Sequence, residues 1–274
     1  MTDNAAGPEP GVPPQIDTTK PHSARVWNVL LGGKDNYKVD RDAAEYAIQV
    51  MPELVHSARA NRQFLGRVVP FLAGEGGIRQ FLDIGTGLPT VDNTHELAQG
   101  VAPDARIVYV DNDPLVLVHA RALLTSSPQG VTDYIDADVR DPQAILIAAA
   151  NTLDFAQPTA VILSGILNFV MDDAQAHEVV DQLVNAVPSG SYLVISHPTT
   201  EVNGDAVQES MRQWNESGAA PIRTRTVKEI GEFFDGLELL DPGVVTCTAW
   251  RPDPKQTGAI TDVVSEFVAV GRKS

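Results

Sequence analysis

The stretch FLDIGTGLPT, residues 81–90, decides the fold. Apolar residues lead into Asp83, and Gly85 and Gly87 follow before Pro89. A strand that ends in a turn almost without side chains lets a ligand lie close to the backbone. Glycines also serve where a tight turn needs positive φ, without any ligand. The stretch therefore predicts a strand end that either receives a polar ligand or forms a plain tight turn.

The composition is that of a globular protein with a strong negative charge. The 274 residues are 43% hydrophobic and carry a formal net charge of −16, so the basic footprint of a nucleic-acid binder is missing. No apolar run approaches the ~20 residues of a membrane span, and the start lacks the pattern of a secretory signal. The single cysteine, Cys247, excludes an internal disulfide framework. We expect a cytoplasmic protein that binds neither nucleic acid nor membrane, with its oligomeric state open.

From residue 79 onward, apolar strand patterns alternate with amphipathic helices. The strand patterns are RQFLDIG, ARIVYVDND, VTDYIDADV, TAVILSGIL and SYLVISHP, followed by the late pair ELLDPGVVTCTAW and DVVSEFVAVGRK. Near-continuous apolar strands separated by helices predict an α/β protein with a mostly parallel sheet covered on both faces.

The part of the chain before residue 79 has a different pattern. Residues 1–22 are rich in proline, glycine and polar residues, which predicts a disordered tail. Residues 23–78 predict three helices. We therefore expect a single domain over 23–274, in which a helical cap or lid (23–78) precedes the α/β core (79–274).

The spacing of the glycines discriminates between ligand classes. A dinucleotide fingerprint requires a third glycine where Thr90 stands, so that fingerprint is absent. The remaining D-x-G-x-G run, Asp83 to Gly87, resembles the first motif of class I S-adenosylmethionine-dependent methyltransferases. Pro89 departs from that motif, which has its last glycine there. The resemblance implies S-adenosyl-L-methionine as cofactor.

Two further acids follow the next two strands. Asp111 ends VYVDND and Asp138 follows YIDADV, so both are expected beside Asp83 at the carboxyl edge of the sheet. A carboxylate at Asp111 can accept both ribose hydroxyls of an adenosine ligand. The resemblance implies that Asp138 accepts the adenine amino group and that the amide of Val139 binds a ring nitrogen.

A narrower resemblance covers nearly the whole chain from Ser23 onward. ARVWNVLLGGKDNYKVDRDAAE, together with FLDIGTGLPTVDNTHELAQ, is similar to an actinobacterial family of S-adenosylmethionine-dependent methyltransferases with largely unassigned substrates. The LLGGKDNY run, Leu30 to Tyr37, is specific to that family. The resemblance implies a Rossmann-like class I fold, with a seven-stranded, mostly parallel sheet and an antiparallel C-terminal hairpin. It identifies no methyl acceptor.

The LLGGKDNY run has two interpretations. It is either a helix end followed by a surface loop, or a lid over the cofactor. In the lid, Tyr37 offers a ring, and Arg25 on the preceding helix can meet the methionine carboxylate, unless Arg25 is an ordinary surface residue. The residues expected to bind the cofactor are Asp83, Gly85, Thr86, Gly87, Asp111, Asn112, Asp138, Val139, Ser164, Arg25 and Tyr37.

The sequence does not supply an obvious base. The run after the fourth strand resembles that of small-molecule O-methyltransferases, but Asn168 stands where those enzymes have a histidine base. An amide cannot accept a proton near neutral pH. His197, at the end of the fifth strand, is the leading alternative base, and His95 is a cofactor-side candidate. No set of residues has the spacing of a metal site.

These observations favour an enzyme that methylates a small-molecule acceptor on oxygen or nitrogen. A non-catalytic protein that binds S-adenosylmethionine is the alternative that Asn168 favours. An NAD(P)-dependent oxidoreductase is the remote alternative, which the missing third glycine and Asp83 oppose.

Overall fold

The structure, a computed structural model, describes residues 16–123, 125–253 and 258–274. Its α-helices are α1 (Ser23–Leu30), α2 (Lys38–Val50), α3 (Leu54–Gly74), α4 (Thr94–Val101), α5 (Pro114–Leu123), α6 (Pro142–Ala149), α7 (Asp173–Asn185), α8 (Gly204–Glu216) and α9 (Val227–Glu232). Its strands are β1 (Gln80–Ile84), β2 (Arg106–Asp111), β3 (Val131–Asp136), β4 (Ala160–Ser164), β5 (Tyr192–Pro198), β6 (Glu238–Leu239), β7 (Val245–Thr246) and β8 (Glu266–Arg272). No helix in these ranges is long and apolar enough to cross a membrane.

One sheet organises the molecule. Its order is β3-β2-β1-β4-β5-β8-β6, and β7 also pairs with β8. The strands β1 to β5 are parallel, whereas β8 runs antiparallel to β5, with Tyr192 opposite Arg272 and Pro198 opposite Glu266. The predicted α/β class, with a mostly parallel sheet and an antiparallel C-terminal hairpin, is confirmed.

The described part of the sheet has eight strands instead of the seven expected. The predicted strand ELLDPGVVTCTAW is divided into β6 and β7, which both pair with β8. Pro242 lies between them and has no N–H for the ladder, and Gly243 turns the chain at a φ of 84°. One predicted strand therefore becomes two short ones.

Side-chain alternation on the strands builds a core on each face of the sheet. Phe81 and Ile162 face α3, where Phe64 packs edge-on against Trp250 with 5.4 Å between ring centroids. Leu82, like its neighbours on that face, packs against residues of α6 and α7. With both faces covered, ligands can approach the sheet at its edges.

The helices α4 and α7, which follow β1 and β4 in the chain, begin at residues whose side chains cap them. Asn93 and Glu96 form a capping box at the start of α4. The Asp172 carboxylate accepts the amide of Gln175 at the start of α7. These caps fix the loops after β1 and β4.

The N-terminal segment packs onto the core. Val26 and Leu30 of α1 form a cluster with Ala44 of α2 and the partly buried Trp214 of α8. Of the predicted tail, residues 1–15 lie outside the described residues, and Ile16 packs beside Leu88 and Leu115. The disorder of residues 1–22 and the domain division stay predictions.

Candidate functional site

A cavity of about 660 Å³ lies between the carboxyl ends of β1, β2 and β4 and the helices α1, α2 and α8. Its volume falls within the ~300–1,000 Å³ typical of sites for small molecules. Open α/β sheets bind their ligands at this edge. The predicted residues Asp83, Gly85, Thr86, Gly87, Asp111, Asn112, Ser164 and Asn168 all line the cavity.

The two glycines of the opening stretch have different duties. Gly85 has a φ of 79°, and a Cβ there would lie 2.7 Å from the Cβ of Ile166, so packing and backbone both require glycine. Gly87 has a φ of 69°, and a Cβ there would meet nothing within 4 Å, so it leaves the loop bare at the cavity. The tight-turn interpretation therefore accounts for Gly85, whereas the ligand interpretation stays a prediction at Gly87.

Asp111 is anchored beside this loop. The Gly87 amide donates to its Oδ2 at 2.8 Å, and the Asp113 amide donates to its Oδ1 at 2.9 Å. Burial raises the pKa of Asp111, and these two backbone hydrogen bonds oppose the shift. Because a carboxylate oxygen has two lone pairs, Asp111 can still accept two more donors from the cavity.

Asp83 lies deeper, next to a cation. The Thr94 hydroxyl donates to Asp83 at 2.6 Å, and burial raises the pKa of Asp83 to about 6 against the effect of Thr94 and Arg62. Arg62 lines the cavity and donates to the carbonyl oxygens of Val91 and Asp92, at 3.1 and 2.9 Å. Arg62 is not among the predicted site residues, and its position on α3 next to Asn61 of the buried helix face was the available signal.

The predicted adenine-binding residues do not line the cavity. Arg140 forms a salt bridge with Asp138, and its hydrogen bonds lower the pKa of that carboxyl. Val139 is part of the core beside β1 and β4. Only their neighbour Asn112 reaches the cavity, with its Nδ2 3.4 Å from Oδ2 of Asp138.

Arg25 and Tyr37 also lie outside the lining. Arg25 is buried, with its Nε 3.3 Å from Oδ2 of Asp113 and an Nη1 that donates to the Asp17 carbonyl at 2.9 Å. Its guanidinium lies 5.5 Å from the Tyr37 ring centroid. The expectation that Arg25 meets a ligand carboxylate is not supported by this arrangement, because its charge is paired with buried Asp113 and, at 3.8 Å, with Asp40.

The LLGGKDNY run is held by Asn28, which precedes it on α1. The Asn28 Oδ1 accepts the Asp35 amide at 3.1 Å and the Asn36 side chain at 2.9 Å. Leu30 and Leu31, the first residues of the run, line the cavity, whereas the stretch 34–37 does not. The run thus covers the cavity only with its apolar beginning.

The part of the cavity lining that comes from α1, α2, α8 and the turn after β4 is rich in apolar side chains, and we call it the apolar chamber. Six of its larger side chains are Trp27, Leu31, Met51, Phe169, Met211 and Trp214. The side chains come from α1, α2 and α8 and from the turn after β4, so no single stretch of sequence indicated the chamber. Such walls exclude water and suit an apolar molecule.

A row of polar groups lies at the end of β4. Asn61 donates to the Ser164 hydroxyl at 3.1 Å, and the hydroxyl oxygens of Ser164 and Ser196 are 3.1 Å apart. Asn168 is 6% exposed, and its Oδ1 has no hydrogen-bond partner among the described residues. The partly buried Ser164 and the buried Asn168 therefore line the cavity at and just after the end of β4.

Glu266, at the start of β8, also lines the cavity and was missed. It is 5% exposed, and burial raises its pKa to about 7 against a hydrogen bond from Ser196. In the sequence, SEFVAV was predicted only as part of a late strand. The available signal was a charged residue in the first position of a buried apolar strand.

His197 does not reach the cavity and is wholly buried. Its Nδ1 donates to the Pro198 carbonyl at 2.9 Å, because a carbonyl oxygen only accepts, and its Nε2 accepts from Arg225 at 2.9 Å. Burial, together with the charge of Arg225, lowers the pKa of His197 to about 3. The expectation of a base at His197 is not supported by this geometry. His95 is buried against Tyr109, 2.9 Å from the phenol oxygen, and outside the lining as well.

Comparison with known proteins gives the family context. Residues 10–274 match the model of the S-adenosyl methyltransferase family. A crystal structure of a DUF574 family protein from Streptomyces avermitilis is 44% identical, with a TM-score of 0.90 and coverage of 95% of this chain and 100% of that one. A candidate methyltransferase from Thermobifida fusca is 43% identical, with a TM-score of 0.86 and coverage of 97% and 100%.

A more distant structure shares the fold alone. The O-methyltransferase family protein from Burkholderia thailandensis is 15% identical, with a TM-score of 0.52 and coverage of 84% of this chain and 62% of that one. A search of curated proteins finds no match to this sequence.

Proposed function

We propose, because the chain belongs to the S-adenosyl methyltransferase family, that it transfers a methyl group from S-adenosylmethionine to oxygen or nitrogen of a small, largely apolar acceptor. One observation carries this proposal. A single cavity joins the glycine loop and Asp111 to the apolar chamber between α1, α2 and α8. Cofactor and acceptor can therefore meet without leaving the protein.

The residues at the glycine loop fit the cofactor. Asp111 has free lone pairs for the ribose hydroxyls, and the bare backbone at Gly87 permits close approach of the ligand. We assign the amino-acid carboxylate of the cofactor to Arg62, which lines the cavity, in place of Arg25. For the adenine, the proposal retains Asp138 and the Val139 amide, next to Asn112.

The chamber residues align the acceptor. S-adenosylmethionine supplies a methyl group on a sulfonium with a good leaving group, so the protein mainly positions the nucleophile and excludes water. The apolar walls at Trp27, Met211 and Trp214 do both. The free Oδ1 of Asn168 can accept a hydrogen bond from the acceptor and orient it.

A non-catalytic protein that binds S-adenosylmethionine is the second candidate. Asn168 and His197 favour it, because the first is an amide and the second has no free lone pair. Turnover of an acceptor distinguishes the two candidates.

The experiment has two stages. Calorimetry with S-adenosylmethionine, S-adenosylhomocysteine and NAD⁺ should show binding of the first two only; absence of both would overturn the proposal. A panel of apolar phenols and amines is then incubated with S-adenosylmethionine, and S-adenosylhomocysteine formation is measured. Tight cofactor binding without turnover across the panel would move the non-catalytic candidate ahead.

A further inference from the structure

Glu266 is a buried acid that the fold alone does not explain. It begins β8 opposite Pro198 and lines the cavity. Its Oε1 is buried and has no hydrogen-bond partner in the described part of the chain. A buried polar atom without a partner is costly, so such an atom facing a cavity indicates a partner that arrives with a ligand.

The neighbouring elements leave the carboxyl group without a counter-ion. On β5, His197 is neutral, because its Nε2 accepts from Arg225. After β7, Cys247 is also neutral, because burial raises the pKa of its thiol. From α3, Arg67 donates to the carbonyl oxygens of Cys247 and Trp250, at 2.6 and 3.0 Å. Among the described residues, Glu266 forms no salt bridge, so a proton or a ligand must balance its charge.

A directional row of hydrogen bonds links Glu266 to the end of β4. Ser196 donates its single hydroxyl proton to Glu266, so Ser164 must donate to Ser196, and Asn61 in turn donates to Ser164. This order stabilises the carboxylate form. Because Ser164 lies two residues before Ile166, whose side chain packs against Gly85, the row connects Glu266 to the glycine-loop end of the cavity.

Asn168 is brought to the same wall. The Arg223 amide donates to the Asn168 carbonyl at 2.9 Å, and the Arg225 amide donates to the carbonyl of Pro198, the strand partner of Glu266, at 3.3 Å. Both Asn168 and Glu266 carry a buried oxygen without a partner. Two such oxygens accept hydrogen bonds, so they fit an occupant that carries O–H or N–H groups.

We propose, as an extension of the proposed function, that Glu266 is the base that deprotonates the methyl acceptor, which Asn168 orients. The acceptor's O–H or N–H bond breaks, and its proton passes to Oε1 of Glu266. The electron pair of the nucleophile forms the bond to the methyl carbon as the methyl–sulfur bond breaks, and that pair stays on sulfur. The proton leaves Glu266 for water after the products depart.

The titration behaviour of Glu266 agrees with this role. Burial raises its pKa to about 7, so carboxylate and carboxylic acid coexist near neutral pH. A base with a pKa near the working pH is efficient in both uptake and release of the proton.

The test compares two ligands that differ only in the sulfonium methyl group. S-adenosylmethionine is positively charged at sulfur and S-adenosylhomocysteine is not, so a carboxylate that faces the reacting methyl group favours the former. We measure the affinity for S-adenosylmethionine divided by the affinity for S-adenosylhomocysteine. Between pH 5.5 and 8.5 we expect this ratio to rise about five- to tenfold more in the wild-type protein than in Glu266→Gln. Asp83 and Asp111 are present in both proteins and cancel in this comparison.

Controls separate the possible outcomes. Glu238→Gln removes an exposed carboxylate from the neighbouring β6, so it should keep the wild-type rise of the affinity ratio with pH. Glu266→Asp keeps a carboxylate and should show part of that rise. If both ligands bind and the affinity ratio rises equally with pH in Glu266→Gln and wild type, the role of Glu266 is overturned and the proposed function stands. Failure of both ligands to bind overturns the proposed function and this inference together.

If Glu266→Gln does not fold, the wild-type protein labelled with 13C at the glutamate carboxyl carbon decides the matter. Addition of S-adenosylmethionine at pH 6.5 should convert one protonated glutamate to carboxylate, and S-adenosylhomocysteine should not. Identical spectra with the two ligands would overturn the inference.

Discussion

The Nε2 atom of His197 lies 2.9 Å from Nη1 of Arg225 in the interior behind the cavity. The same guanidinium donates to the carbonyl oxygens of Leu167 and Val170, at 3.0 and 2.9 Å, and pairs with Asp173. Arg225 therefore fixes the turn that carries Asn168, and His197 contributes as a hydrogen-bond acceptor in that network.

His197 should stay neutral, with its proton on Nδ1, throughout pH 5–8. Its pKa is lowered from 6.5 to about 3, so its contribution to stability is present above pH 6.5 and is lost as the pH falls towards 3. Nitrogen-15 NMR of the ring, assigned with His197→Gln, measures the tautomer. A titration of this ring near pH 6.5 would contradict the structure.

Glu266→Gln should be more stable than wild type at pH 8. Burial raises the pKa of Glu266 from 4.5 to about 7. The contribution of this group to folding stability is therefore complete below pH 4.5 and is lost as the pH rises through 7. The difference is at most about 3 kcal/mol, since one pKa unit corresponds to 1.36 kcal/mol. Urea unfolding at pH 4.5 and pH 8 tests this. A variant less stable than wild type at pH 8 would mean that the carboxylate is stabilised within the fold.

Asp111→Ala should weaken binding of S-adenosylhomocysteine by about 1.5–3 kcal/mol for each charged hydrogen bond lost. Asp136→Ala is the matched control, because Asp136 is the strand partner of Asp111 on β3 and is exposed. Calorimetry on both variants is the measurement. Equal affinity in the two variants would remove Asp111 from the cofactor site.

Gly85→Ala should impair both stability and cofactor binding. A methyl group there would lie 2.7 Å from the Cβ of Ile166, and the alanine backbone would have to keep a φ of 79°. The backbone penalty alone is about 1–2 kcal/mol. Gly100→Ala is the control, because Gly100 lies exposed in α4 with nothing within 4 Å, and alanine favours a helix. Thermal unfolding that affects the two variants equally would contradict the packing argument.

The LLGGKDNY run should exchange its amide hydrogens more slowly when S-adenosylhomocysteine is added, because Leu30 and Leu31 line the cavity. Asn28→Ala should speed exchange at the Asp35 amide, which it releases. The turn 240–243, remote from the cavity lining, serves as an internal reference. Unchanged exchange over residues 30–37 would leave the plain-loop interpretation in place.

The sequence determined the architecture, because strand and helix periodicities are local properties of the chain. The alternation from residue 79 onward predicted the mostly parallel sheet, and parallel strands necessarily bring Asp83 and Asp111 to one edge. The glycine pattern identified the loop at that edge. The single strand predicted for ELLDPGVVTCTAW was wrong, and the pairing of both halves with β8 depends on distant residues.

Tertiary structure alone decided which side chains face the cavity. Glu266 meets Ser196 only because β8 inserts antiparallel beside β5, and His197, its close neighbour in that pairing, is turned into the core. The sequence does not distinguish Arg25 from Arg62 as a ligand-binding residue. In the structure, buried acids pair with Arg25, whereas Arg62 lines the cavity. A local pattern specifies the face of an element, whereas the surroundings of that face come from residues far along the chain, and these surroundings set burial, charge pairing and pKa.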